Sequence, residues 1–99
     1  MKTYLLTLFF LDARAAAEPL RAVGAAVQAL SGGDFIRMGS GRESTAIAFT
    51  SSADLPAMKK ALAPATVDTL EYLLVEVSRA PLTTVSRQSI AWFQKRLGD

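Results

Sequence analysis

From Thr3 to Leu11 the chain reads Thr-Tyr-Leu-Leu-Thr-Leu-Phe-Phe-Leu, and both of its alternating sets are apolar. Tyr4, Leu6, Leu8 and Phe10 fall on one side of an extended chain, while Leu5, Phe9 and Leu11, with Thr7 among them, fall on the other. A strand with one face in water alternates apolar with polar residues, so this run predicts a central strand covered on both faces. The period then changes. Leu20, Val23, Val27 and Leu30 recur at i, i+3, i+7 and i+10, flanked by Ala22, Ala25, Ala26 and Ala29, which is the stripe of an amphipathic helix. Pro19 is acceptable in its first turn, where the missing N–H costs nothing, and Ser31-Gly32-Gly33 ends it. Gly24 inside the helix costs about 1 kcal/mol relative to Ala, which points either to close approach of a neighbouring backbone or to simple tolerance.

Phe35–Met38 and Thr45–Thr50 are two short strands joined by Gly39-Ser40-Gly41-Arg42-Glu43, whose glycines supply the positive φ angles of a hairpin loop. In the second of them Thr45, Ile47 and Phe49 share one face; Ala46 and Ala48 share the other, small enough for a helix or a partner sheet to approach. Ser51-Ser52 offer an N-cap to a helix with Pro56 near its start and a stripe of Leu55, Met58 and Leu62, closed by Pro64, with Lys59 and Lys60 outward. After Val67-Asp68, Leu70–Val77 reads as an edge strand, with Leu73, Val75 and Val77 on one face and Tyr72, Leu74 and Glu76 on the other. Pro81 prevents a simple continuation of that ladder, and from Thr84 a last helix carries Ile90, Phe93 and Leu97 at i, i+3 and i+7 with Trp92 beside them. Strand, helix, strand, strand, helix, strand predicts an α+β, ferredoxin-like βαββαβ domain over residues 1–99. Its first and third strands form the middle of an antiparallel sheet, two helices cover one face, and a C-terminal helix over about 84–97 is added.

Ninety-nine residues, 51% hydrophobic and 20% charged, are enough for one domain that buries roughly two-thirds of its unfolded surface without staples. The chain has no cysteine and no histidine. Disulfides, thiolate metal sites and thiol catalysis are thereby excluded, together with the commonest metal ligand and the commonest general base. A net charge of +2 and a pI near 9.3 make a mild basic excess, weak support for a polyanionic partner. The first apolar run is short for a membrane span. Ala13–Ala17 imitates a signal cleavage site, but removing the run would remove the centre of the sheet, so the reading is cytoplasmic with no membrane partner.

Four features are candidates for chemistry. Gly39-Ser40-Gly41-Arg42 resembles a phosphate cradle in composition, but a strand follows where a phosphate loop needs a helix N-terminus, so it reads as a turn. Asp12, just past the first strand, is the one carboxylate placed to act as a catalytic or Mg²⁺-binding group if a second subunit lay nearby, and otherwise reads as a loop cap. Arg79, Arg87, Lys95 and Arg96 make the last part of the chain basic around Trp92, a combination that single-stranded nucleic acid binding uses through phosphate pairing and base stacking. At its spacing from Ile90 and Phe93, however, Trp92 reads as core or interface, and the cations read equally as a solvated face. Lastly, the far side of the first strand needs cover. Either the C-terminal helix supplies it or a second subunit does, and a homodimer is expected, by face-to-face sheet packing or by exchange of the C-terminal segment.

The segments Met1-Lys-Thr-Tyr-Leu-Leu-Thr, Ser44-Thr-Ala-Ile-Ala-Phe-Thr-Ser-Ser-Ala-Asp-Leu and Leu70-Glu-Tyr-Leu-Leu-Val-Glu-Val together resemble the small SinR-family proteins, relatives of the CRISPR-associated ferredoxin-like adaptation proteins. The resemblance implies a homodimer and, in the CRISPR-associated members, metal-dependent cleavage or binding of nucleic acid through an Asp late in the first strand. Phe9 stands where that acid is expected, and an apolar side chain cannot ligate a hard cation; Ala46 stands where the family carries Trp. The leading expectation is therefore a non-catalytic homodimeric interaction module with nucleic acid as its candidate partner. A Mg²⁺-dependent nuclease acting through Asp12 is the alternative, and a small-ligand sensor with a pocket between sheet and helices is a third, for which no convergent polar groups stand out.

Overall fold

The computed structural model describes residues 1–41, 43–65, 70–79 and 87–98, apart from the side chains of residues 13 and 40. Arg42, the connection through Val67-Asp68, Pro81, the expected helix start at Thr84 and Asp99 lie outside them. In chain order the elements are β1 (Lys2–Phe10), α1 (Ala17–Ser31), β2 (Phe35–Ser40), β3 (Ser44–Ser51), α2 (Leu55–Leu62), β4 (Leu70–Val77) and α3 (Arg87–Leu97), with short 3-10 turns at Ala13–Ala15 and Ala63–Ala65. The four strands form one antiparallel sheet in the order β2-β3-β1-β4. The protein is thus α+β, with β1 and β3 central as the hydrophobic pattern predicts, an arrangement compatible with the ferredoxin-like one.

On one face of the sheet Tyr4, Leu6 and Leu8 from β1 and Ile47 and Phe49 from β3 pack with Val23 and Val27 of α1 and Met58 and Leu62 of α2, all essentially buried. The Tyr4 and Phe49 rings stack with centroids 5.6 Å apart, and the buried Tyr4 hydroxyl donates to the Ala53 carbonyl at 3.2 Å, so its polar end is satisfied. Gly24 faces open space, since a Cβ built there would meet nothing within 4 Å. Tolerance, not close packing, accounts for it.

The N-cap of α2 differs from expectation. Asp54 caps it, its carboxylate accepting from the Ala57 amide at 2.8 Å. The register of β3 with β1 continues to Ser51, whose buried hydroxyl instead donates to the Leu30 carbonyl at 2.7 Å and accepts from the Ala53 amide at 3.1 Å. That serine ties the end of α1 to the end of β3, a contact between segments twenty-one residues apart that no local signal marks.

The second face is covered by α3. Trp92 and Phe93 pack with Met38 and Ala48 in a separate cluster, and Leu5, Ile36, Ala46, Val77 and Leu97 border it. The small face of β3 is thus where a helix approaches, as the Ala46 and Ala48 spacing anticipates. The cover stops short of the β1–β4 side. Phe9 remains 42% exposed, Leu73 56% and Val75 39%.

Candidate functional site

The main concentration of polar interactions among the described residues lies where the last turn of α3 meets the start of β2. The Arg96 guanidinium sits 4.0 Å above the Trp92 ring and donates through Nη1 to the Trp92 carbonyl at 2.9 Å. Its Nε donates to both carboxylate oxygens of Asp34 at 3.1 Å, and Nη2 pairs with Asp34 Oδ1. Thr50 completes the arrangement: its hydroxyl donates to Asp34 Oδ2 at 2.6 Å and its amide to the Asp34 carbonyl at 3.1 Å. Trp92 in turn meets Phe93 edge to face, with centroids 5.2 Å apart. The Arg96 guanidinium beside Asp34 holds that carboxyl below the usual carboxylate range, helped by the Thr50 hydroxyl and the nearby Lys95 charge against the opposing cost of partial burial. The group is a clasp that fixes α3 to the sheet.

This placement divides the expected basic residues. Arg96 is occupied by Asp34 and Trp92, so a phosphate would have to displace Asp34 to reach it. Arg87 and Lys95 are exposed at opposite ends of α3, about 12 Å apart along its axis. Lys95 and Arg96 lie in the last turn, where cations complement the helix dipole. Arg79 is exposed two residues beyond β4. Lys59 and Lys60 belong to α2, on the other face of the sheet, and do not join these residues. Trp92 is 9% exposed, so it serves packing first.

Asp12 lies past the end of β1 and caps the first 3-10 turn, accepting from the Arg14 amide at 3.0 Å, in line with the loop-cap reading. Phe9 projects from the second face toward solvent. No three acidic groups converge into a cation site among the described residues. In the β2–β3 loop Gly39 has φ of 71°, the register shifts between Met38 and Ser40, and the Gly41 amide is taken by the Ser44 carbonyl at 2.8 Å. The donors a phosphate cradle needs are therefore partly consumed in making the turn. An open depression of about 250 Å³ lies beside it, lined by Thr7, Met38, Gly39, Gly41, Ser44, Thr45 and Ala46. Another, of about 380 Å³ between the start of α1 and the 3-10 turn after α2, is lined by Glu18, Pro19, Ala22, Pro64 and Ala65. Neither brings several charged groups together, and no helix among the described residues is long and apolar enough to cross a membrane.

The clasp is the feature sequence reading missed. Asp34 and Arg96 stand sixty-two residues apart, and each looks unremarkable locally: one ends a Gly-Gly turn and the other ends a basic helix. No family model, no curated protein and no solved structure matches the chain.

Proposed function

We propose that the protein is a small cytoplasmic interaction module of the ferredoxin-like, SinR-family kind, without catalytic chemistry of its own, which acts as a homodimer and meets nucleic acid through α3. The observation that carries the dimer is the apolar strip of Phe9, Leu73 and Val75 that α3 leaves open on the second face. Fully burying such a side chain is worth about 1.5–3 kcal/mol, so covering what remains of three of them returns about 1 kcal/mol apiece, or about 6 kcal/mol for a symmetric pair. A micromolar complex needs about 8 kcal/mol net of the cost of association, so backbone hydrogen bonds or ion pairs must add to the strip.

The nucleic-acid part of the reading rests on Arg87 and Lys95, the expected cations of α3 without an ion-pair partner among the described residues. A Mg²⁺-dependent nuclease has less to build on, because Asp12 spends one carboxylate oxygen on a backbone cap and Phe9 occupies the strand position where an acid would be needed. Sedimentation equilibrium at tens of micromolar tests the dimer: the expected mass is twice the 10.6 kDa of one chain, and a single-chain mass overturns the proposal.

A further inference from the structure

The homodimer reading can be carried to a particular edge of the sheet. Among the described residues no strand flanks the outer side of β4. Backbone parity shows which of its groups are free there. The Phe10 amide donates to the Glu43 carbonyl, on the β3 side, so even-numbered residues of β1 bond toward β3 and odd-numbered ones toward β4. The Thr50 amide, which donates to Asp34 on the β2 side, gives the same parity from the other direction. In the register Thr3↔Val77, Leu5↔Val75, Thr7↔Leu73 and Phe9↔Glu71, the odd-numbered residues of β4 therefore bond inward. Tyr72, Leu74 and Glu76 direct their N–H and C=O groups outward.

Edge strands that must stay single are blunted by bulges, prolines or a break in the ladder. The opposite edge, β2, has such a device in its register shift between Met38 and Ser40. β4 has no such break: its pairing with β1 runs unbroken from Phe10↔Leu70 to Thr3↔Val77 and it contains neither Pro nor Gly, so its guard against pairing is the charge of Glu71 and Glu76 alone. It is a straight edge that carries Leu73 and Val75 of the uncovered apolar strip, with Phe9 one strand further in on β1.

We infer that β4 pairs antiparallel with β4 of a second copy about a two-fold axis at Val75, which joins two sheets into one of eight strands. In antiparallel pairing the residues opposite each other project to the same face, so a two-fold axis must pass through a residue position. An axis at Leu73 sets Glu71 opposite Val75 of the second copy, and one at Leu74 sets it opposite Val77; either buries a carboxylate against an aliphatic chain. An axis at Val75 sets Val75 opposite itself and Leu73 opposite Val77 on the second face, sets Leu74 opposite Glu76 on the first, and brings Glu71 to the end of the second copy's β4, where Arg79 follows in a bend two residues past Val77. Glu71 and Arg79 are both exposed and have no ion-pair partner among the described residues, whereas Glu76 is already paired with Lys2 at 3.3 Å. On the second face charge complementarity and apolar matching thus select the same register, while Glu76 on the first face keeps Lys2, and the outward groups of Tyr72, Leu74 and Glu76 supply its hydrogen bonds.

Cross-linking tests the register, and the absence of native cysteine makes every link assignable. Opposed residues in a non-hydrogen-bonded antiparallel pair have Cα atoms about 4.5 Å apart, within the range a disulfide spans. The Val75→Cys variant is expected to form a covalent dimer under mild oxidation, and Leu55→Cys, exposed on α2, to remain unlinked. Glu71→Arg, which places like charges opposite each other at two symmetric positions, should weaken association about tenfold, and adding Arg79→Glu should restore it. If the parent sediments as a dimer but Val75→Cys does not link and Glu71→Arg changes nothing, the register is overturned while the homodimer stands. If the parent sediments as one chain, both fall.

Discussion

Replacing Phe93 by Ala asks whether α3 is an integral layer of the domain or an appendage resting on it. Phe93 has no solvent exposure and packs with Met38 and Ala48 on the second face, edge to face with Trp92. Truncating a buried phenylalanine to alanine costs about 3–5 kcal/mol, the lost transfer energy plus the cavity left behind. The lower end applies here, because α3 is held from one side only and can settle toward the sheet. A domain of this length has about 5–15 kcal/mol of stability in total, so a loss of about 3 kcal/mol removes a fifth or more of it and lowers the melting midpoint by about 12 °C or more. Urea unfolding at fixed protein concentration, followed in parallel by far-UV circular dichroism and by emission of Trp92, the single tryptophan, reads the result. The parent transitions should coincide and both should move in Phe93→Ala. A variant within about 0.5 kcal/mol of the parent, or Trp92 emission that changes well before the helical signal, would refute the packing argument.

The Asp34 clasp makes a pH-dependent prediction. Because Arg96 lowers the folded-state pKa of Asp34, the stability the pair contributes is present above the ordinary carboxylate value of about 3.9 and is lost as pH falls through the depressed value. Asp34→Asn should therefore be less stable than the parent at pH 6, by under about 1 kcal/mol since the carboxylate is over a third exposed, and the gap should close toward pH 2; a gap that is the same at both ends contradicts the pairing. For the polyanion reading, affinity for single-stranded RNA should fall steeply between 50 and 200 mM salt, as counterion release requires. Arg87→Ala and Lys95→Ala should each flatten that slope and Arg96→Ala should leave it unchanged; salt-independent binding would argue against phosphate contacts altogether.

The parts of the fold that local chemistry dictates were legible from residue spacing. Two apolar faces on β1 announced a strand covered on both sides, Ala46 and Ala48 marked where a helix comes close, and Glu76 beside Tyr72 and Leu74 marked β4 as an edge. What escaped were contacts between distant segments. Ser51 looked like a cap because Ser-Ser precedes a helical stripe, yet β3 continues through it and the cap passes to Asp54. Arg96 looked like part of a solvated basic face because nothing nearby in sequence opposes it, while its partner arrives from the turn before β2. Such pairings depend on how two elements cross in space, and hydrophobic period carries no information on that.

A second copy pairing with the chain beside the open apolar strip is the claim on which the functional reading stands. Sedimentation equilibrium of the parent beside Leu73→Glu tests it most directly, since Leu73 is exposed in the single chain and a charge there should leave the fold intact. The parent is expected at twice 10.6 kDa and the variant, with an unchanged circular dichroism spectrum, at 10.6 kDa. Equal masses for the two proteins, whether of one chain or of two, would contradict the account.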